Sequence, residues 1–159
     1  MNALDVMRYG HLTLLGAADG LADAKWERPG VCGVWSTRQI IAHLGSYEEA
    51  IADVLAVAGG ETESPVLDRF LALGAGFNDA EVAARDAMSP GETLAAYTAA
   101  HEQAMTALDA LPDEALRRTG SIPWYGDGYA LDDLIVYMVY GHKREHCAEI
   151  AHSRSRLDS

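Results

Sequence analysis

The chain has 159 residues, of which 49% are hydrophobic and 23% charged, the balance of an ordinary globular protein in the size range of one domain. With 24 Asp and Glu against 12 Lys and Arg, its formal charge is -12 at pH 7. That field repels phosphate backbones, whose partners draw affinity from clustered Lys and Arg, so nucleic acid is not an expected partner.

No apolar run approaches the roughly 18 residues that a membrane helix needs, so no membrane partner is expected. The opening MNALDVMRYG lacks a basic patch followed by an uninterrupted apolar stretch, which predicts a cytoplasmic protein. Residues 1–159 are expected to form a single domain. The two cysteines, Cys32 and Cys147, have no C-x-x-C spacing and are expected to be free thiols.

In chain order, Leu4, Met7, His11, Leu15, Ala18 and Ala22 recur at three-to-four spacing and predict a first helix over 3–22, ending before Arg28-Pro29-Gly30. Ser36-Thr37-Arg38-Gln39 fits a capping box and opens a second helix over 36–58, stopped by Gly59-Gly60. Its core stripe is Ile40, Leu44, Tyr47, Ile51, Val54 and Ala58, with His43 on the flank. The stretch 61–88 contains Gly74 and Gly76 between short apolar pieces, which predicts a long crossover with one or two short helices. After such a crossover, the next helix need not run antiparallel to the previous one. Ser89-Pro90-Gly91-Glu92 is a second capping box, opening a third helix over 89–111 that Pro112 closes. Residues 121–126 read as an ordered loop, and the fourth helix covers 130–153. The fold expected is an all-α four-helix bundle with a long crossover between its second and third helices.

On the fourth helix, Leu131, Leu134, Ile135, Met138 and Val139 form one stripe at 100° per residue, and that stripe continues through His142 and His146. Residues four apart share a face, so these imidazoles can converge on one point, and His43 offers a third from the second helix. Three protein ligands with exchangeable positions left over are the mark of a catalytic metal site. The same periodicity is equally satisfied by hydrogen-bonded core histidines, the reading given to His11 and His101. Glu145 is expected at the surface. For Glu149 the options are orienting an imidazole N–H, supplying a fourth ligand, or exposure. Tyr47 reads as packing, and Trp124 and Tyr125 as a substrate wall or a cap on the core. Cys147 points about 100° away from His146 and reads as a buried, inert thiol.

Val34-Trp35-Ser36 leading into Ile41-Ala42-His43-Leu44, then Phe77-Asn78, Ala100-His101 and finally Gly141-His142-Lys143-Arg144-Glu145-His146 resemble the DinB-like superfamily, and more narrowly its DfsB/ClbS-type four-helix bundles. The similarity covers nearly the whole length. It implies a DinB/YfiT-like bundle, often a homodimer, in which His43, His142 and His146 hold a divalent metal, zinc foremost with nickel or iron as alternatives. Related bundles include bacterial thiol-dependent S-transferases and the N-terminal domain of mycothiol-dependent maleylpyruvate isomerase. In that isomerase the first member of the last-helix pair is Glu, where this chain has His142. That difference, and a length with no room for the isomerase's second domain, argue against isomerase activity.

Two functions follow from the resemblance. One is a metal-dependent hydrolase or thiol S-transferase acting on a small molecule, with a low-molecular-weight thiol as partner. The alternative is a non-enzymatic protein that binds or sequesters a small molecule around a structural metal.

Overall fold

The computed structural model describes residues 2–156. Its elements are α1 (Ala3–Ala18), α2 (Asp23–Trp26), α3 (Thr37–Ala58), α4 (Pro65–Leu73), a 3-10 turn (Gly74–Gly76), α5 (Phe77–Ala84), α6 (Pro90–Asp109), α7 (Asp113–Arg117), α8 (Leu131–Leu134), a π-helical stretch (Ile135–Gly141) and α9 (His142–Ser155). The last three follow one another without a break and make the fourth long helix. Among the described residues there is no strand, only an isolated bridge between Cys32 and Trp35, and no helix is long and apolar enough to cross a membrane.

Both capping boxes form as the sequence predicts: Gln39 N donates to Ser36 Oγ while Ser36 N donates to Gln39 Oε1, and Ser89 and Glu92 repeat the exchange at α6. The predicted crossover is also present, carrying α4 and α5. Asp53 on α3 holds its start, accepting from Val66 N at 2.7 Å and Leu67 N at 3.1 Å, which satisfies donors that the first turn of α4 leaves open. Arg85 holds its end through Glu81 and Glu49.

The first helix stops at Ala18, four residues short of its predicted end, because Gly20 takes φ 63° just beyond it. Its inward line also runs through Met7, Gly10, Leu14 and Ala18, so Leu14 takes the place expected of Leu15. The loop over 121–126 packs as expected: Ile122 is buried, and Trp124 and Tyr125 lie against the core.

The apolar interior divides in two. One cluster gathers Met7, Ile51, Leu55, Leu108, Leu131 and Leu134, and the other Leu14, Ile40, Leu44, Tyr97 and Ile150. Passing from one to the other, α1 and the last helix run in one direction, and α3 and α6 in the opposite one. The long crossover is what allows α3 and α6 to lie parallel, and α6 is the neighbour α3 packs against most.

Between the two clusters every long helix contributes polar groups: His11 from α1, His43 and Glu48 from α3, His101 from α6, and His142, Lys143 and His146 from α9. A polar layer therefore crosses the middle of the bundle. Buried polar groups cost free energy unless they are paired, so how this layer is satisfied decides what it can do.

Candidate metal centre

The layer has two halves. In the first, Glu48 sits on α3 with no exposure and forms an ion pair with Lys143, while its other oxygen lies 3.3 Å from His101 Nδ1. His11 stacks on His101 with ring centroids 4.1 Å apart, and its Nδ1 lies 3.3 Å from the Tyr97 hydroxyl. Burial alone would raise the Glu48 carboxyl, but Lys143 and His101 outweigh it and hold the group below its ordinary range. Burial likewise pushes the Tyr97 hydroxyl upward. His11 and His101 thus have a structural role here, apart from the three other core histidines. Sequence reasoning assigned no role to either Glu48 or Lys143.

In the second half, the structure brings His43, His142 and His146 together. His142 Nε2 lies 2.9 Å from His43 Nε2 and 3.0 Å from His146 Nε2, and one ligand atom from each residue falls within 4.8 Å of the others. The i,i+4 spacing on α9 sets the His142–His146 pair, and α3 delivers His43 from the facing helix. The π-helical stretch Ile135–Gly141 lies immediately before His142 and changes the phase of the helix there; such interruptions recur at functional sites. Lys143 consequently takes the fully inward position beside Glu48, and His142 and His146 share the face next to it.

Aromatic rings flank two of the three imidazoles, His43 and His142. Trp35 lies 4.9 Å from His43 between ring centroids, and Tyr47 lies 4.8 Å from His43 and 4.6 Å from His142. The Tyr47 hydroxyl donates to Asn78 Oδ1 at 3.1 Å, anchoring α5 of the crossover against the site. Tyr47 therefore packs, as expected, and what it packs on is the triad. Glu145 is exposed, as expected. Glu149 Oε2 lies 2.7 Å from His146 Nδ1, the position from which a carboxylate orients an imidazole N–H.

Proton counting tests whether these residues suit a cation. A carboxylate only accepts, so a neutral His146 carries its proton on Nδ1 and a lone pair on Nε2. The three Nε2 atoms that meet then have one N–H, on His142, to share among them. Under that arrangement the buried Nδ1 of His43 and the buried Nδ1 of His142 have no hydrogen-bond partner. Each such orphan costs about 1–3 kcal/mol. A cation held by His43, His142 and His146 would relieve the conflict, because each ring would offer it a lone pair and turn its proton outward. The Met138 carbonyl, although it makes no well-formed hydrogen bond, already favours a proton on the His142 ring. His142 Nε2 lies closer to each of the other two Nε2 atoms than two zinc–nitrogen bonds laid end to end, about 4 Å, so an ion can bridge either pair, and all three ligand atoms stay within 4.8 Å of one another.

His43 and His142 are poised in the neutral form that metals require. Burial, then the neighbouring imidazoles, lowers His43 to about 3; burial, His146 and Lys143 lower His142 to about 4. Cys147 is buried, and burial lifts its thiol to about 11, which matches the inert role expected of it. Cys32 was not foreseen near the site. Its thiol lies with a His146 ring nitrogen and a Glu149 oxygen in a second group of ligand atoms, and burial followed by Glu149 raises it to about 11.

A roomier cavity, about 660 Å³, lies elsewhere, lined by Val54, Leu67, Arg118, Trp124 and neighbours but by none of the three histidines. The triad, with its distinctive donor set, carries more chemical information than that cavity.

The family model described as the mycothiol maleylpyruvate isomerase N-terminal domain matches residues 8–133, a span that includes His43, Tyr47 and Asn78 and ends before His142 and His146. Neither a curated protein nor a solved structure matches the chain. With that match over more than half its length and an all-helical structure around it, the chain belongs to the mycothiol maleylpyruvate isomerase N-terminal domain family of the DinB-like superfamily.

Proposed function

We propose that the chain is a divalent-metal enzyme that activates a low-molecular-weight thiol for transfer to a small electrophile, with His43, His142 and His146 as the metal ligands. The observation that carries this reading is the meeting of three Nε2 atoms with too few protons to satisfy them. The preference for a thiol over water as nucleophile rests on the mycothiol named by the matching family. A bound divalent ion supplies Lewis acidity, which lowers the pKa of a thiol and favours its nucleophilic anion.

The chain's own residues do the rest. Glu149 keeps the His146 proton on Nδ1 and so keeps Nε2 available. Trp35 and Tyr47 shield His43 and His142 from water, which strengthens every charge interaction at the site. Asn78 fixes the Tyr47 hydroxyl, and with it the wall of the site.

Metal content after purification without a metal-affinity tag, compared between the wild type and His43→Ala, tests the ligand set. About one ion per chain, lost in the variant, is expected. A metal-free wild type whose melting matches the variant sinks the reading. Assays pairing thiols with electrophiles, beside ester and amide substrates, then test the reaction: turnover that needs the thiol and is lost on chelation supports transfer, and thiol-independent cleavage replaces it with hydrolysis. Binding without turnover in either assay replaces it with a binding protein.

A further inference from the structure

The Glu149 edge of His146 faces a second set of donor atoms. The Cys32 sulfur, a His146 ring nitrogen and a Glu149 carboxylate oxygen lie within 4.8 Å of one another. Cys32 is held by backbone bonds in the turn that leads into α3: Val31 N donates to Trp35 O at 2.9 Å and Trp35 N to Cys32 O at 2.9 Å. Gly30 and Gly33, at φ 84° and 56°, supply the left-handed positions this turn requires. Ser36 then caps the helix that carries His43. The thiol is thus presented to α9 by the same segment that aligns the triad.

A neutral imidazole has one lone pair and one N–H, so His146 can serve one ion at a time. With the proton on Nδ1, held by Glu149 at 2.7 Å, the lone pair on Nε2 faces His142. With the proton on Nε2, His142 Nε2 at 3.0 Å can accept it, and the lone pair moves to the edge shared with Glu149. We propose that Cys32, His146 and Glu149 form a second metal site, selective for thiophilic cations, which shares His146 with the triad so that the two sites fill alternately. Thiolate is the soft donor, and beside the all-imidazole triad it favours cations softer than zinc, such as cadmium or copper(I). Binding releases the thiol proton to solvent, because a coordinating thiol is deprotonated outright. Only the alternation depends on the triad holding an ion; the Cys32 set is independent of it.

Cadmium titration of untagged, chelator-treated protein tests this, followed by thiolate-to-cadmium charge-transfer absorption in a Cys147→Ser background, where Cys32 is the remaining thiol. The band is expected to saturate at one ion per chain, to vanish in Cys32→Ser and to persist in His43→Ala. In Glu149→Gln, which leaves the thiol in place, the apparent affinity is expected to fall by about tenfold or more. No band in the Cys147→Ser protein, or a band unaffected by both Glu149→Gln and His146→Ala, overturns the site. Zinc loading followed by cadmium tests the sharing: zinc plus cadmium should total one per chain by elemental analysis, and two per chain overturns it. A zinc content equal in wild type and His43→Ala sinks the triad instead, while the cadmium band still decides the Cys32 site.

Discussion

Lys143 and Glu48 form an ion pair inside the bundle, their side chains 2% and 1% exposed, and the pair joins α9 to α3 one residue after His142 and five after His43. Two charges withdrawn from water are offset by each other, by His101 and by the Tyr97 ring 5.2 Å from Lys143 Nζ, so removing one charge strands the other. Lys143→Met is expected to cost about 3–5 kcal/mol in urea unfolding. Lys143→Met combined with Glu48→Leu should regain most of that loss, because no buried charge is left alone. A double variant no more stable than the single one would mean that the pair contributes by shape instead of by charge.

Acid should weaken the metal-free fold through the histidines. Burial is the largest cause in lowering His43 to about 3 and His11 and His142 to about 4, against about 6.5 for an unfolded histidine. Between those values the unfolded chain binds protons that the folded chain does not, so stability is present above pH 6.5 and is lost as pH falls toward 4. His43, at 1% exposure, contributes a slope of at most about 1.4 kcal/mol per pH unit. Urea midpoints measured with chelator from pH 7 to 4.5 should fall more steeply for the wild type than for His43→Gln. Carboxylates act in both proteins, so equal slopes would remove His43 from the account.

What the sequence made legible was local. Ser36 with Gln39, and Ser89 with Glu92, announce helix starts because the whole interaction lies within four residues. His142 and His146 were readable as a pair for the same reason, and His43 because an imidazole on the flank of an apolar stripe is conspicuous. Glu48 and Lys143 gave no such signal: their pairing spans 95 residues, and each looks like an ordinary surface charge in its own neighbourhood. Cys32 beside His146 is likewise a product of the fold alone. The split of the core by a polar layer follows from these pairings, and a stripe-by-stripe reading ran straight through it. The π-helical stretch was hidden too, since a repeat of 100° per residue assumes the regularity that Ile135–Gly141 breaks.

Metal should stabilise the fold through His43 in a way that a second ligand set cannot imitate. An ion that binds the folded chain alone adds RT ln(1 + [L]/Kd), about 2.7 kcal/mol at a hundredfold excess over Kd. Thermal melts of chelator-treated wild type should therefore rise on adding zinc. The rise should largely disappear in His43→Ala and should survive in Cys32→Ser. Loss of the rise in Cys32→Ser but not in His43→Ala would move the main ion away from the triad.

Gly141 offers a test of what aims the triad. It closes the π-helical stretch directly before His142, and a Cβ built there would meet the Val136 carbonyl oxygen, five residues earlier, at 3.2 Å. In a regular helix interior, Gly→Ala gains about 0.8–1 kcal/mol, because alanine surrenders less backbone freedom. At Gly141 the added methyl instead presses on a backbone oxygen that can yield only by shifting the π geometry, and any shift is passed to the next residue, His142. Gly141→Ala is thus expected to forgo the helix-propensity gain in urea unfolding and to weaken zinc binding by about tenfold, measured by competition with a chromophoric chelator. A variant stabilised by the full propensity increment with unchanged zinc affinity would show that the Lys143–Glu48 pair alone sets the aim of His142.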